Sequence, residues 1–150
     1  MRDYPFTRIT RECSRPMLWT RVSNPRADIS PILVKAIVDT GADECAFPAS
    51  IARHLGHKLE DGLTRKTVST ASGKTLAFSH TSCVEVLSVR TDGLPGTEIL
   101  YTLPETPIDF IKGCESFLLG TRNFLNAFVL EVDYPAEVFS LRRSSHARGR

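Results

Sequence analysis

The chain has 150 residues, 41% of them hydrophobic and 24% charged, which suits one globular domain of ordinary size and excludes a large two-lobed one. The net charge of +2 is unevenly spread: residues 1–28 carry six arginines against three acids (+3), residues 142–150 carry four arginines and no acid (+4), and residues 29–141 carry nine bases against fourteen acids (−5). No apolar segment follows Met1 and no apolar run approaches a membrane span in length, so we expect a soluble, intracellular, cytoplasmic protein with no membrane partner.

The basic ends are interpreted as solvated arms on an acidic body. A basic arm can also contact nucleic acid or an acidic partner, but the tail at 142–150 has no aromatic residues between its arginines, so we do not expect nucleic acid as the partner. The four cysteines include no CxxC pair and no metal-knuckle spacing. That pattern indicates reduced, buried thiols rather than a disulfide framework or a metal site.

The first predicted elements are an arm and a buried strand. Residues 1–30 have no clear period and contain three prolines, and they predict an N-terminal arm or edge segment. Ile32 to Val38 is apolar except for Lys35, which is the pattern of a buried strand. This strand ends at Asp39-Thr40-Gly41, where the glycine allows a sharp turn.

A short helix and a β-hairpin follow the first strand. Pro48 suits a first helical position and Gly56 suits a helix stop, so a helix is predicted between them. Thr67 to Val89 is rich in β-branched residues and is interrupted at Ala71-Ser72-Gly73-Lys74, which predicts a hairpin with its turn there. Glu98 to Leu103 predicts another strand, bounded by prolines on both sides.

The last third of the chain predicts a second short helix and two strands. Thr121 to Ala127 suits one or two helical turns with Thr121 as the cap. Phe128 to Asp133 alternates in hydrophobicity, and Val138 to Leu141 predicts a final strand. The sequence therefore predicts an all-β fold, mostly β with two short helices, whose domain spans residues 31–141 and precedes a basic tail at 142–150.

The carboxylate of Asp39 stands at the end of a buried strand, in a pattern suited to acid–base chemistry. The strand would hold it rigidly, and the glycine that follows would bring backbone N–H groups close to its oxygens. Peptide hydrolysis by carboxylates needs two such groups face to face, one ionised as the base and one protonated as the acid. The alternative is an ordinary strand-to-turn junction, where Asp and Gly are common.

The residues around Asp39 and around Gly120 carry a resemblance to a known family. The runs Ile37-Val38-Asp39-Thr40-Gly41-Ala42-Asp43 and Phe117-Leu118-Leu119-Gly120-Thr121-Arg122-Asn123-Phe124-Leu125 resemble those of the retropepsins, the aspartic proteases of retroviruses and their cellular and bacterial relatives. The likeness covers about residues 30–141. It implies a retropepsin-like acid protease barrel with one half-site per chain.

The resemblance also implies roles for individual residues. Asp39 would be the catalytic aspartate that holds the attacking water, within the catalytic motif Asp39-Thr40-Gly41, and Thr40 would bond across a dimer axis. Gly41, Ala42 and Asp43 would line the substrate cleft. The flap residues Ser72, Gly73 and Lys74 would close over the peptide, although this flap tip has only one glycine.

Gly120 and Arg122 would support the site. The resemblance implies an ion pair between Arg122 and Asp43 that braces the turn, whereas the alternative is a surface arginine at the start of a short helix. One residue, Thr121, separates Gly120 from Arg122, where family members usually have none.

Two functions are open from the sequence. The chain has one Asp-Thr-Gly and no Asp-Ser-Gly, so an aspartic endopeptidase acting on polypeptides would need a homodimer to bring two Asp39 carboxyls together. The alternative is a catalytically weak or inactive dimeric binding module whose basic arms contact an acidic partner or nucleic acid. His54 and His57 lie three residues apart with Cys45 upstream. A metal site there would need a third ligand, and a Cys–His nucleophile pair would need a proximity that the sequence does not establish. No phosphate-binding loop is present, so no metal or other cofactor is expected.

Overall fold

The computed structural model describes residues 3–61 and 64–146, and these residues are mostly in strands. In chain order the strands are β1 (Asp3–Pro5), β2 (Thr7–Arg8), β3 (Ser14–Arg15), β4 (Met17–Ser23), β5 (Ile32–Val38), β6 (Cys45–Pro48), β7 (Thr64–Thr70), β8 (Gly73–Val89), β9 (Pro95–Ile111), β10 (Leu118–Leu119), β11 (Phe128–Asp133) and β12 (Val138–Arg143). One α-helical turn, α1, spans Ala49–Ala52, and 3₁₀ turns span Arg53–Leu55, Leu59–Asp61 and Leu125–Ala127.

Six strands close into a barrel. Their order around it is β4, β5, β10, β6, β9 and β8, and β8 pairs back to β4. The barrel closes because β8 and β9 are long enough to bend around it, with register shifts along their ladder at Ser82/Val84 and Val86/Leu87. Each barrel strand therefore has a hydrogen-bonded neighbour on both sides over at least part of its length. The predicted all-β barrel is confirmed.

The first thirty residues contribute to this barrel. Strand β4 pairs with β5 on one side and with β8 on the other, and every second residue of β4 (Leu18, Thr20 and Val22) is fully buried. The expected arm or edge segment at 1–30 therefore contains a barrel strand. The period-2 alternation of a half-buried strand is present in Met17–Ser23, but Thr20 at a buried position weakens its hydrophobic signal.

The helix between Pro48 and Gly56 forms as predicted. Pro48 is the N-cap of α1, and the 3₁₀ turn that continues it ends at Gly56, which has φ +71°. A left-handed residue is easily supplied by glycine, and its N–H closes the turn on the carbonyl of Arg53.

The predicted hairpin is also present, and it extends outside the barrel ring. Strands β7 and β8 pair in register from Thr64↔Ser79 to Thr70↔Gly73, with the turn at Ala71 and Ser72. Strand β9 is longer than expected: it continues through Pro104 to Ile111. Pro104 is tolerated because the β8–β9 ladder is irregular next to it, between Ser82 and Val84, so its missing N–H breaks no regular pair.

A three-stranded sheet joins the two ends of the described chain. Its order is β1, β12, β11, and Phe139 at its centre stacks on Tyr4 with ring centroids 5.2 Å apart. Strand β12 includes Arg142 and Arg143, so the predicted tail boundary at 142 falls inside a strand, and residues 147–150 of that tail lie outside the described residues.

One hydrophobic core fills the barrel and reaches this terminal sheet. Its largest fully buried side chains are Phe47, Phe110, Phe124 and Phe139. Burying one such ring stabilises the fold by about 1.5–3 kcal/mol. All four cysteines are free thiols, of which only Cys45 is fully buried. Among the described residues, no helix has the length and apolar character needed to cross a membrane.

Candidate active site

Asp39 follows directly on the buried end of β5 and is anchored by the strands beside it. Its backbone N–H donates to the carbonyl of Leu119 on β10 at 3.1 Å, and the N–H of Val38 donates to the carbonyl of Pro16 at 2.9 Å. The last two residues of β5 pair in parallel with Leu118 and Leu119. The backbone that carries the carboxylate is thus held from both sides, while the side chain itself is only half-buried.

The turn after Asp39 brings a backbone donor to its carboxylate. The N–H of Gly41 donates to Oδ1 of Asp39 at 2.9 Å. A Cβ at Gly41 would lie 3.2 Å from the same oxygen, so a glycine leaves room for this close approach. A hydrogen bond from a backbone N–H orients the carboxylate. Thr40, between them, is exposed at the surface of this chain.

The segment after β10 braces the loop from Asp39 to Glu44. The N–H of Thr121 donates to the carbonyl of Ala42 at 2.9 Å, and its hydroxyl donates to the same carbonyl at 3.2 Å. The N–H of Arg122 donates to the carbonyl of Asp43 at 2.8 Å. Thr121 was expected to cap a helix, but its side chain bonds the loop from Asp39 to Glu44 instead, because β10 lies directly beside that loop.

Gly120 allows β10 to pack this closely on the loop. It is buried, and a Cβ at this position would overlap the carbonyl group of Glu44 and lie 2.9 Å from its backbone nitrogen. Only hydrogen fits in this space, so a glycine is required by the close approach of two backbones.

Arg122 reaches the carboxylates of the same loop despite the extra residue before it. Its guanidinium lies 3.4 Å from Asp43 and 3.6 Å from Glu44. The side chains of Arg122 and Asp43 are 66% and 72% exposed, so the ion pair is solvated and weak. Asn123 makes a more buried contact, donating from its amide to the Glu44 carboxylate and, at 3.2 Å, to the carbonyl of Pro107.

A cleft of about 780 Å³ opens between Asp39 and the β7–β8 hairpin. Gly41, Ala42 and Asp43 line one side of it, and Val68, Ser69, Thr70 and Ala71 line the side formed by the hairpin. The expected flap residues Ser72, Gly73 and Lys74 are exposed at the hairpin tip and are not part of the cleft lining in this single chain. Thr70 steadies the tip, since its hydroxyl donates to the carbonyl of Gly73 at 2.9 Å.

Three lining or neighbouring residues were missed by sequence reasoning. Lys66 of β7 lies 2.8 Å from the buried carboxylate of Asp109 on β9, and the hydroxyl of Ser79 on β8 donates to that carboxylate. A signal existed for Asp109, because it is a single charged residue inside the apolar run Ile108 to Ile111. No local pattern identifies Lys66 or Ser79, whose proximity depends on the pairing of three strands.

The buried cysteine and the histidines lie in different surroundings. Burial raises the pKa of the Cys45 thiol to about 12, so it carries no thiolate at neutral pH. His57 instead stacks on His80 with ring centroids 4.6 Å apart, beside a polar pocket of about 310 Å³ that Arg26 also lines. Burial, followed by the nearby charges of His80 and Arg26, lowers the pKa of His57 to about 4. Over residues 3–61 and 64–146 no group of three His, Cys, Asp or Glu side chains could hold a metal ion.

Comparison with known proteins identifies the family of the chain. The model of the family described as "gag-polyprotein putative aspartyl protease" matches residues 28–126, about two thirds of the chain. A search of the curated proteins gives no match. The crystal structure of a retropepsin-like aspartic protease from Rickettsia conorii is similar, with a TM-score of 0.61, 19% identity, and coverage of 93% of this chain and 98% of that chain. At that identity the likeness shows the shared fold. The chain belongs to the retropepsin-like aspartyl protease family represented by the gag-polyprotein model.

Proposed function

We propose that this protein is an aspartic endopeptidase whose active site is completed by two copies of the chain, each supplying Asp39. The observation that carries the proposal is the placement of this carboxylate. It stands at the end of a buried strand, accepts a hydrogen bond from Gly41 at 2.9 Å, and lines a cleft beneath a β-hairpin. An extended polypeptide is the substrate class that suits a cleft bounded by a hairpin strand.

The number of carboxylates supports a homodimer. Water activation and protonation of the peptide oxygen need one ionised and one protonated carboxyl, but the sequence has a single Asp-Thr-Gly. The other acids of the cleft wall, Asp43, Glu44 and Asp109, are already engaged by Arg122, Asn123 or Lys66. A two-fold axis near the exposed Thr40 would bring a second Asp39 to the first.

The reaction follows from two carboxyls at close range. Because like charges repel, the pair binds one proton between them, as in aspartic proteases generally. The ionised Asp39 takes a proton from the bound water, and the protonated Asp39 donates to the carbonyl oxygen of the scissile bond. The water oxygen attacks the carbonyl carbon as it loses its proton, which forms a tetrahedral intermediate. This intermediate collapses with cleavage of the C–N bond, as the Asp39 that took the proton from water passes it to the leaving amine. Hydrogen bonds from Gly41 to each carboxylate would keep the pair oriented throughout.

Other residues would bind the peptide. Gly41, Ala42 and Asp43 would line the substrate path, and Thr40 would bond across the dimer axis. Ser72, Gly73 and Lys74, at the exposed tip of the hairpin, would close over the peptide from the side opposite Asp39. Gly120 and Arg122 would act as structural support for the Asp39 loop.

The test is cleavage of a peptide library by purified wild-type protein and by the D39N variant. D28N is the matched control, since Asp28 is an exposed aspartate on the loop before β5, outside the cleft lining. We expect the wild type and D28N to cleave the same peptides, and D39N to be folded and inactive. Cleavage by D39N at wild-type rates would overturn the proposal. A wild type that cleaves nothing would leave the binding-module alternative.

A further inference from the structure

Lys66 and Asp109 form a charge pair in the wall of the cleft that the chemistry proposed above does not use. The side chain of Asp109 is only 6% exposed and that of Lys66 is 35% exposed, with 2.8 Å between Nζ and Oδ2. The hydroxyl of Ser79 donates to Oδ1 of the same carboxylate. Both oxygens of Asp109 are thereby bonded, whereas the Lys66 ammonium has used one of its three N–H donors on this carboxylate.

The register of three adjacent strands fixes this pair in place. Ser79 on β8 is directly opposite Asp109 on β9, and Lys66 on β7 is opposite Ala77, the next residue of β8 on the same face. Lys66 therefore reaches diagonally across β8 to the carboxylate. Because Asp109 is buried and tied to its own sheet, it holds the Lys66 ammonium at one position in the cleft wall rather than leaving it free in solvent.

Part of this wall is an apolar patch. The side chains of this patch that line the cleft are Ala46, Val68, Ile111 and Leu118. Together with Ala77 they belong to one small hydrophobic cluster. A substrate side chain that lies along this patch meets hydrocarbon except where Lys66 presents its ammonium. This contrast allows the wall to discriminate between side chains by their polarity.

The charge around Lys66 decides which polar side chain it accepts. Asp109 neutralises the ammonium. The rest of the cleft lining contains the acids Asp39, Asp43 and Glu44 and one further base, Arg122. These acids would repel a carboxylate on the substrate, and the Lys66 ammonium would repel a cationic side chain. A neutral oxygen can accept hydrogen bonds from the remaining Lys66 donors without repulsion from the acids or from the ammonium.

We propose that Lys66, held by Asp109, selects substrates that carry a carboxamide side chain, glutamine or asparagine, where the peptide passes β7. The proposal rests on the peptidase function above and names its substrate class. An apolar side chain at that position would desolvate the ammonium without replacing its hydrogen bonds. Because the proposed dimer has two copies of the wall, the preference should recur at two positions related by symmetry about the scissile bond.

The test compares wild type, K66M and D109N on peptides that differ only at the responding position, with glutamine, methionine, glutamate or lysine there. The position is first located by profiling a proteome-derived peptide library. Methionine at position 66 keeps the hydrocarbon stem and removes the charge. K58M is the matched control, because Lys58 lies outside the cleft lining. Peptide binding to the same variants in a D39N background gives a second readout that needs no cleavage.

The expected ratio of kcat/KM for the glutamine peptide over the methionine peptide is about ten for the wild type and K58M, and about one for K66M. D109N, which leaves the ammonium unneutralised, should raise the preference for glutamate over glutamine. An unchanged ratio in K66M, or no glutamine preference in the wild type, overturns the inference while cleavage itself still supports the peptidase. Selective binding of the glutamine peptide without any cleavage would support the inference and refute the peptidase.

Discussion

Replacing Gly120 with alanine tests whether the Asp39 loop is held by the backbone packed against it. A Cβ at this position would overlap the carbonyl group of Glu44 and lie 2.9 Å from its nitrogen. Neither group is a flexible side chain, so the methyl group must push β10 and the loop apart.

The cost can be worked from the contacts that would be lost. Overpacking a buried site typically costs about 1–3 kcal/mol. Separation also strains two backbone hydrogen bonds, from Thr121 to Ala42 at 2.9 Å and from Arg122 to Asp43 at 2.8 Å. Each contributes about 1 kcal/mol net. We therefore expect G120A to lower the free energy of unfolding by about 3–5 kcal/mol, a large part of the stability of a small domain.

The measurement is urea unfolding followed by circular dichroism, with peptidase activity measured in the absence of urea. G113A is the control, since Gly113 has φ +76° and no other atom lies within 4 Å of the place that an alanine methyl group would take. It should lose only about 1 kcal/mol, the cost of a left-handed alanine. The packing argument would be refuted if G120A lost no more free energy of unfolding than G113A and kept normal peptidase activity.

Two further predictions concern charged groups. The pKa of His57 is lowered to about 4 in the folded protein, so the unfolded chain binds its proton first as the pH falls. Stability should decrease from about pH 6.5 down to about pH 4, by on the order of 1–2 kcal/mol after allowance for partial exposure, and urea midpoints of H57Q should depend less on pH over that window. A variant with unchanged pH dependence would contradict this. For R122A we expect a loss of less than about 0.5 kcal/mol in urea unfolding, because the Arg122 ion pairs are exposed, and a loss above about 2 kcal/mol would show that they are stronger than their exposure implies.

Local patterns were sufficient for several elements. The apolar run of β5, the glycine stop at Gly56, the turn at Ala71 and Ser72 and the alternation of β11 each depend on neighbours in sequence. In each case the side-chain period or the backbone preference of one residue determines the outcome. The candidate motif at Asp39 belongs to the same group, because its strand, carboxylate and glycine are consecutive.

Features that depend on pairing between strands far apart in sequence could not be predicted from local patterns. Pro104 does not end β9, because it lies at a bulge that forms only when β9 pairs with β8. Thr121 bonds the Asp39 loop rather than capping a helix, since the parallel pairing of β10 with β5 brings it there. The Lys66–Asp109 pair likewise requires the register of β7, β8 and β9. The sequence contains these residues, but their contacts arise only when the barrel closes.

The central claim is that each chain supplies half of one catalytic site, and co-refolding tests it most directly. Wild-type and D39N chains are unfolded together, refolded at constant total concentration, and assayed over a range of mixing ratios. If only dimers with two intact Asp39 carboxyls cleave peptides, activity follows the square of the wild-type fraction, so an equal mixture retains about one quarter of full activity. Activity proportional to the wild-type fraction, about one half at the equal mixture, would show that one chain is catalytically sufficient and would contradict the account.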